Sequence, residues 1–438
     1  VGNIQLRATD PVWIDNVWTY PNLAEEQVRL EGTIHNVTGA SVDGEIEAVV
    51  RQVEADDVHV ESEGVGGIGE EASFEMTVPL DDVATWDEFT PNLYKAEVRL
   101  RADDGAYAHH FQTTFGMREI ETDGAEFVLN DRPVYLRGTL ECCIFPETGY
   151  PPTDVAGWTD LIETAQDYGL NHFRFHSWCP PEAAFRAADR LGFLLHVETP
   201  VWAHNVGEDP ERDQFMLTEG RRIQDAYGNH PSFVMMALGN ELGGDWDMIN
   251  DMVEELKERD PRRLYTSHAD HVRMEPEPEA EYYITHHTEE DYLRIHLSDR
   301  PNDRFGTDID FTDMIQGWDI PTISHELGQW VVNPDYTELD KYTGPLKPRS
   351  LEAYQDELAD RGMGDQAKDM QQATGNFAWL LYKEDMEASL RTPNFGGFQL
   401  LQLQDFPGQG EALIGLLDAF WDTKDLYTPA EFRQFCSE

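Results

Sequence analysis

Two glutamates stand in matching settings 85 residues apart: Glu241 in MMALGNELGG and Glu326 in PTISHELGQW, each directly after an apolar run and each followed by Leu-Gly. A pair of carboxyls cleaves a glycosidic bond when one is protonated and donates to the leaving oxygen while the other is ionised and attacks the anomeric carbon. At a separation of about 5 to 5.5 Å the configuration of the sugar is retained. A single glutamate more often caps a helix or meets an arginine; two at the ends of apolar runs, one of them preceded by Asn240, favour the catalytic pair. Around them the sequence offers Arg174 and His176 in NHFRFHSW, His286 in YYITHH and His325 beside Glu326, all able to contact hydroxyls or charge. Trp202 and Trp330 could stack on pyranose faces, and Asp405, in LLQLQDFPGQG, could bind a non-reacting hydroxyl. The competing view of each histidine is a satisfied structural residue, of each tryptophan a filled loop, and of Asp405 a turn initiator.

Such residues work only if the fold brings them to one point. From residue 1 to about 117 apolar and polar residues alternate in segments such as 27–37, 45–53, 72–78, 93–100 and 107–115, separated by Gly, Asn and Asp, which predicts an antiparallel immunoglobulin-like sandwich. After Asp123 short apolar runs alternate with amphipathic stretches. Eight strands are expected, at 134–139, 172–176, 193–198, 233–239, 263–267, 282–286, 321–325 and 397–402, with helices at 155–168, 181–191, 211–227 and 246–258. The expected fold class is therefore an all-β sandwich, residues 1–120, followed by an α/β (β/α)8 TIM barrel, residues 121–438. A doubly wound sheet is the competing fold, but no G-x-G-x-x-G follows the first strand. In a barrel, reactive groups close the C-terminal ends of strands, and strands four and seven face each other across the mouth. Glu241 and Glu326 end those two strands.

On these residues the chain resembles glycoside hydrolase family 2. The likeness runs from WDEFTPNLYKAEVRL and FGMREI in the sandwich, through FVLNDRPVYLRG at 127–138 and NHFRFHSWCPPEAAFRAADRLGFLLHVETP at 171–200, to the Asn-Glu pair at 240 and 241. The resemblance implies Glu241 as general acid and base, Asn240 as partner of the sugar 2-hydroxyl, Glu326 as nucleophile and Arg174 beneath that nucleophile. It implies an exo-acting retaining β-glycosidase similar to β-galactosidases, acting on an oligosaccharide or glycoside and needing no cofactor. The family's usual N-terminal jelly roll is not in this chain. An Asn-x-Lys pattern, which in some members recognises a uronic acid, is also missing, which disfavours glucuronidase activity.

Composition narrows the partners. Asp and Glu number 85 against 32 Lys and Arg, a net charge of -53, and only seven of the basic residues are lysine. Nucleic acid is an improbable partner for such a surface. At molar salt the Debye length falls to about 3 Å and self-repulsion is screened, so adaptation to high salt is expected, with unfolding when salt is withdrawn. No apolar run reaches the roughly 18 residues of a membrane span, and Val1–Asp10 lacks a signal pattern, so neither membrane nor compartment is indicated. The four cysteines show no metal spacing, and the oligomeric state is not encoded legibly. Two other functions compete. A metal-dependent barrel hydrolase would use strand-end His and Asp, but the first strand, VYLRGTLECC, carries no His-x-His. A non-catalytic carbohydrate-binding scaffold would not need both glutamates.

Overall fold

The computed structural model describes residues 4–55, 58–270, 275–288, 292–294, 309–407 and 413–437. Seven antiparallel strands form the first layer pair: β1 (Val12–Asn22), β2 (Gln27–Asn36), β3 (Val42–Gln52), β4 (Val58–Ile68), β5 (Glu71–Pro79), β6 (Tyr94–Ala102) and β7 (Tyr107–Phe115). They pair as two sheets, β1-β2-β5 and β4-β3-β6-β7. Every second residue of β2 is buried, so Val28, Leu30 and Ile34 meet Ile46, Ala48, Val50, Val98 and Leu100 between the sheets. The sequence expectation missed β1 and β4 for two physical reasons. In β1 the register shifts between Ile14 and Asn16, a bulge that breaks the period of two. In β4 nearly every side chain is exposed, the profile of a charged edge strand that resists pairing with other chains.

A small antiparallel sheet, β8 (Ile120–Asp123), β9 (Glu126–Leu129) and β10 (Arg132–Val134), leads into the barrel. Its Phe127, Leu129 and Val134 pack with Leu136, Leu194 and Leu264, the first residues of three barrel strands, and so plug the N-terminal end. All eight expected barrel strands are present and parallel: β11 (Leu136–Glu141), β12 (His172–Phe175), β13 (Leu194–Glu198), β14 (Phe233–Ala237), β15 (Leu264–Thr266) continued by the two-residue β16 (Ala269–Asp270), β17 (Tyr283–Thr285), β18 (Thr322–Gly328) and β19 (Gly397–Leu401). Most are buried at every position, as strands covered on both faces must be. The ring closes between β14 and the β15–β16 run, where Leu238 N–H donates to Ser267 O (2.9 Å) and Glu241 N–H to Ala269 O (2.8 Å). The closing seam therefore carries one of the two glutamates.

The four expected helices appear as α1 (Val155–Asp167), α2 (Glu182–Leu191), α3 (Pro210–Tyr227) and α4 (Trp246–Arg259). Asp154, Asp209 and Asp245 cap three of them by accepting a backbone N–H, and Pro210 opens α3 where its missing N–H costs nothing. Three more were not foreseen: α5 (Arg349–Asp360), α6 (Ala367–Arg391) and α7 (Pro429–Cys436), the last closed by a Thr428/Glu431 capping box. Only Leu351 of α5 is buried, so its apolar stripe is too thin to show in sequence. No helix among the described residues is long and apolar enough to cross a membrane.

Candidate active site

The turn after β14 is built so that Glu241 has one place to be. Gly239 adopts φ +153°, and a Cβ there would lie 2.2 Å from Val201 O, so no larger residue fits. Asn240 N–H donates to that same Val201 oxygen (3.1 Å), and Glu241 follows with φ +49°. Glu326 is placed by different means but reaches the same kind of backbone. Against β19 the register of β18 slips between Ser324 and Leu327, a bulge that holds His325 and Glu326, and Glu326 has φ +50°. A left-handed conformation costs a residue with a Cβ about 1 to 2 kcal/mol. Both candidate glutamates bear it, as groups held for function often do.

The two carboxyls converge. An oxygen of each and one ring nitrogen of His325 all lie within 4.8 Å of one another. Their environments then divide them. Burial, and after it the negative charge of Glu326, pushes the Glu241 carboxyl up to about 7, against the opposing pull of Arg174, His204 and His268. Burial acts in the same upward direction on Glu326, but there the close imidazoles of His325 and His176 and the guanidinium of Arg174 outweigh it and hold the carboxyl well below the usual range. His325 Nε2 lies 3.3 Å and His176 Nε2 3.8 Å from Glu326 Oε1. One carboxyl thus keeps its proton near neutrality while its neighbour is ionised.

Arg174, expected beneath the nucleophile, lowers the Glu326 carboxyl by its charge and is itself tied by direct bonds to two other side chains. It is fully buried, and its Nε donates to Glu198 Oε1 (2.6 Å) while Nη2 donates to Asn240 Oδ1 (2.6 Å). Ser177 Oγ completes the set on Glu198 Oε2 (3.0 Å). Because the Asn240 carbonyl oxygen is taken by the guanidinium, the amide is locked with its NH2 on the other side, the orientation a hydroxyl-binding donor needs. The influence of Arg174 on Glu326 runs through space. His286 Nδ1 lies 3.4 Å from His325 Nδ1, which brings a third imidazole to the group. Burial lowers His286 to about 2 and His325 to about 4, so both rings are neutral at pH 7.

The remaining expected residues stand further apart in role. Trp202 is 61% exposed just beyond β13, an aromatic face left in water. Trp330 turns its indole N–H to Asp385 Oδ2 (2.8 Å) on α6. Asp405 is buried, and its Oδ1 accepts from Lys424 Nζ (2.6 Å) and Gly415 N–H (2.8 Å), which gives it a structural tie. Three residues had not been given a role from sequence. Arg294 donates from Nη1 to the main-chain oxygen of Glu326 (2.9 Å) and comes from a stretch with no periodic pattern. Glu198 was visible as a strand end, but its partner was not. Gln402 is fully buried just past β19, the strand between β11 and β18, with neither end of its amide hydrogen-bonded among the described residues.

Comparison with known proteins follows the same two units. Residues 12–118 match Glycosyl hydrolases family 2, and residues 120–396 match the family's TIM barrel domain. Among curated relatives, the β-glucuronidase of Streptococcus agalactiae is 28% identical over 203 residues, 42% of this chain and 34% of that protein. The β-galactosidase of Leuconostoc mesenteroides is 26% identical over 195 residues, 43% of this chain and 18% of that protein. The aligned part thus spans about a third of the first relative and less than a fifth of the second. Among solved structures, a GH2 β-galacturonidase from Eisenbergiella tayi bound to galacturonate superposes with a TM-score of 0.72 at 18% identity, covering 98% of this chain and 72% of that one. A Bacteroides uniformis β-glucuronidase 2 gives 0.71 at 17%, covering 97% and 52%. At that identity these neighbours show the fold. With the barrel match alone extending over more than half of its length, the chain belongs to Glycosyl hydrolases family 2.

Proposed function

We propose that this chain is a retaining exo-β-glycosidase that hydrolyses terminal β-linked sugars by double displacement. The observation that carries this reading is the approach of two carboxyls to within 4.8 Å in surroundings that protonate one and ionise the other. Glu326 attacks the anomeric carbon as the bond to the leaving oxygen breaks, and that oxygen takes the proton of Glu241. The product of this step is a glycosyl ester on Glu326. Glu241, now ionised, removes a proton from water; the water oxygen bonds to the anomeric carbon from the face the leaving group vacated, and Glu326 departs. Asn240, held by Arg174, donates to the 2-hydroxyl, while Trp202, Trp330, His176, His286 and His325 shape the sugar site. The proposed sugar is neutral, in the manner of a β-galactosidase, in keeping with the missing Asn-x-Lys. The same proposal extends to a division into residues 1–120 and 121–438 and to work in concentrated salt, which a net charge of -53 supports.

The test is a panel of aryl β-glycosides of galactose, glucose, mannose, glucosamine, arabinose and the uronic acids, assayed in molar salt with the anomeric configuration of the first product read by proton NMR. Hydrolysis with retention, unchanged by a chelator, is the expected result. An inverted product would contradict the mechanism, and activity lost on chelation would favour the metal-dependent hydrolase.

A further inference from the structure

At the N-terminal end of the barrel, opposite the two glutamates, the sandwich and the barrel leave a cavity of about 250 Å³ between them. Its walls come from β1 and β2, from residues 115–120 at the exit of β7, and from residues 228–231 and 261–262, which lead into β14 and β15. Three arginines line it, Arg29, Arg118 and Arg262, against one carboxylate, Glu119. In a chain with 85 acidic and 32 basic residues, that lining reverses the general composition. Glu119 is engaged elsewhere, since its Oε1 accepts from Leu23 N–H (2.9 Å).

Arg118 stands out among the three. It is buried, and its Nε, Nη1 and Nη2 donate to the main-chain oxygens of Pro231, Arg262 and Phe233. Those acceptors carry no charge, and among the described residues no carboxylate pairs with it. Asp260 and Asp189 reach it only through space. Both have other partners: Asp260 holds Arg262 Nε and Arg263 Nη2 (each 2.7 Å), and Asp189 holds His230 Nδ1 and Ser232 Oγ. Burial, and after it the like charges of Arg263 and Arg262, lower the Arg118 guanidinium to about 9, so it is still charged at pH 7. A buried charge without a counter-charge is costly, and an ion that supplies one is favoured. The carbonyls use three of the five N–H groups of Arg118 and leave two for a ligand. Arg29 and Arg262 are steadied over the ring of Tyr20, at 4.3 and 4.7 Å from its centroid, and Arg29 also pairs with Glu31 and Glu75.

We propose that this cavity binds a small inorganic oxyanion of the phosphate class, held by Arg118, Arg262 and Arg29, and that the anion pins the sandwich to the barrel. Guanidinium groups match the oxygens of such an ion in pairs. Arg29 and Arg118 come from the sandwich side and Arg262 from the barrel, so one ion between them joins the two units.

The experiment titrates the full chain with potassium phosphate at pH 7 in molar potassium chloride, followed by calorimetry and by melting temperature. Additions of potassium chloride at equal ionic strength are the control. Expected are saturable heat at one phosphate per chain and a melting temperature that climbs with the logarithm of phosphate, by about 3 °C at a hundredfold excess over Kd. Chloride additions should give neither. Arg118→Gln should abolish the saturable heat, and Arg29→Gln, which spares the carbonyl bonds of Arg118, should weaken binding about tenfold or more. Melting curves without phosphate report whether each variant is folded, and should Arg118→Gln fail, Arg29→Gln carries the comparison. Absence of saturable heat, or binding of undiminished affinity in a folded variant, would overturn the proposal. So would a melting temperature that rises linearly with phosphate in the variants as in the parent, which is the general exclusion effect of that salt. Neither readout involves turnover, so the outcome is independent of the catalytic reading.

Discussion

At the scale of single residues, the account turns on two glutamates with the same backbone strain and opposite protonation. Glu241 is held up to about 7 by burial and by the charge of Glu326, so it is the protonated acid below that pH and loses the proton above it. Activity should therefore fall about tenfold per pH unit on the alkaline side of about 7 if proton donation limits the rate. A pH profile of kcat/KM with a flat alkaline side to pH 9 would contradict the assignment. Glu241→Gln should cost about 10² to 10⁴ in rate on substrates with poor leaving groups and far less on dinitrophenyl glycosides, which leave unaided. Equal losses on both would mean that Glu241 does not donate the proton. The strain has its own consequence. Replacing Glu241 by glycine relieves a left-handed φ of +49° and a half-buried carboxyl, so the variant should be inactive yet more stable by about 1 kcal/mol, read as a higher melting temperature. A lower one would show that the side chain is worth more to the fold than its strain costs.

At the scale of elements, what the sequence made legible is what burial makes periodic. The barrel strands stood out as short runs rich in apolar residues, β14 being apolar throughout and β12, β13 and β19 carrying one or two polar residues each, and helices such as α1 and α4 because their core-facing residues recur every three to four. Both glutamates were found from the ends of such runs. The misses share a cause, since a bulge, an exposed edge and a thin apolar stripe hide β1, β4 and α5 respectively. Within the site, the ion pair of Arg174 with Glu198 depends on packing between neighbouring strands and the bond from Arg294 to the Glu326 main chain on a loop reaching back to β18, for which spacing along the chain gives no signal. The turn after β14 offers a sharp test of positioning. Gly239→Ala puts a methyl 2.2 Å from Val201 O at a φ of +153°, so the turn must shift and move Asn240 and Glu241 with it. Loss of most activity with a lowered melting temperature is expected; wild-type kinetics would show that the turn does not position the acid.

At the scale of the whole molecule, the sandwich is fastened to the barrel by a few arginines. Arg118 donates to Pro231 O (3.0 Å) and Phe233 O (2.9 Å), and Arg262 Nη1 to Thr19 O (2.9 Å) and Asn229 Oδ1 (2.7 Å). These bonds are to polar groups within a chain of net charge -53, whose surface repels itself until salt screens it. The melting temperature should rise steeply between low and molar salt, and a flat dependence would end the salt-adapted reading. The most direct measurement of the central claim is covalent. Incubation with an activated 2-deoxy-2-fluoro β-glycoside of the best sugar slows the second displacement more than the first, and peptide mass spectrometry then finds where the sugar sits. The account predicts one glycosyl group, on Glu326; a label on any other residue, or hydrolysis through no covalent species, would contradict it.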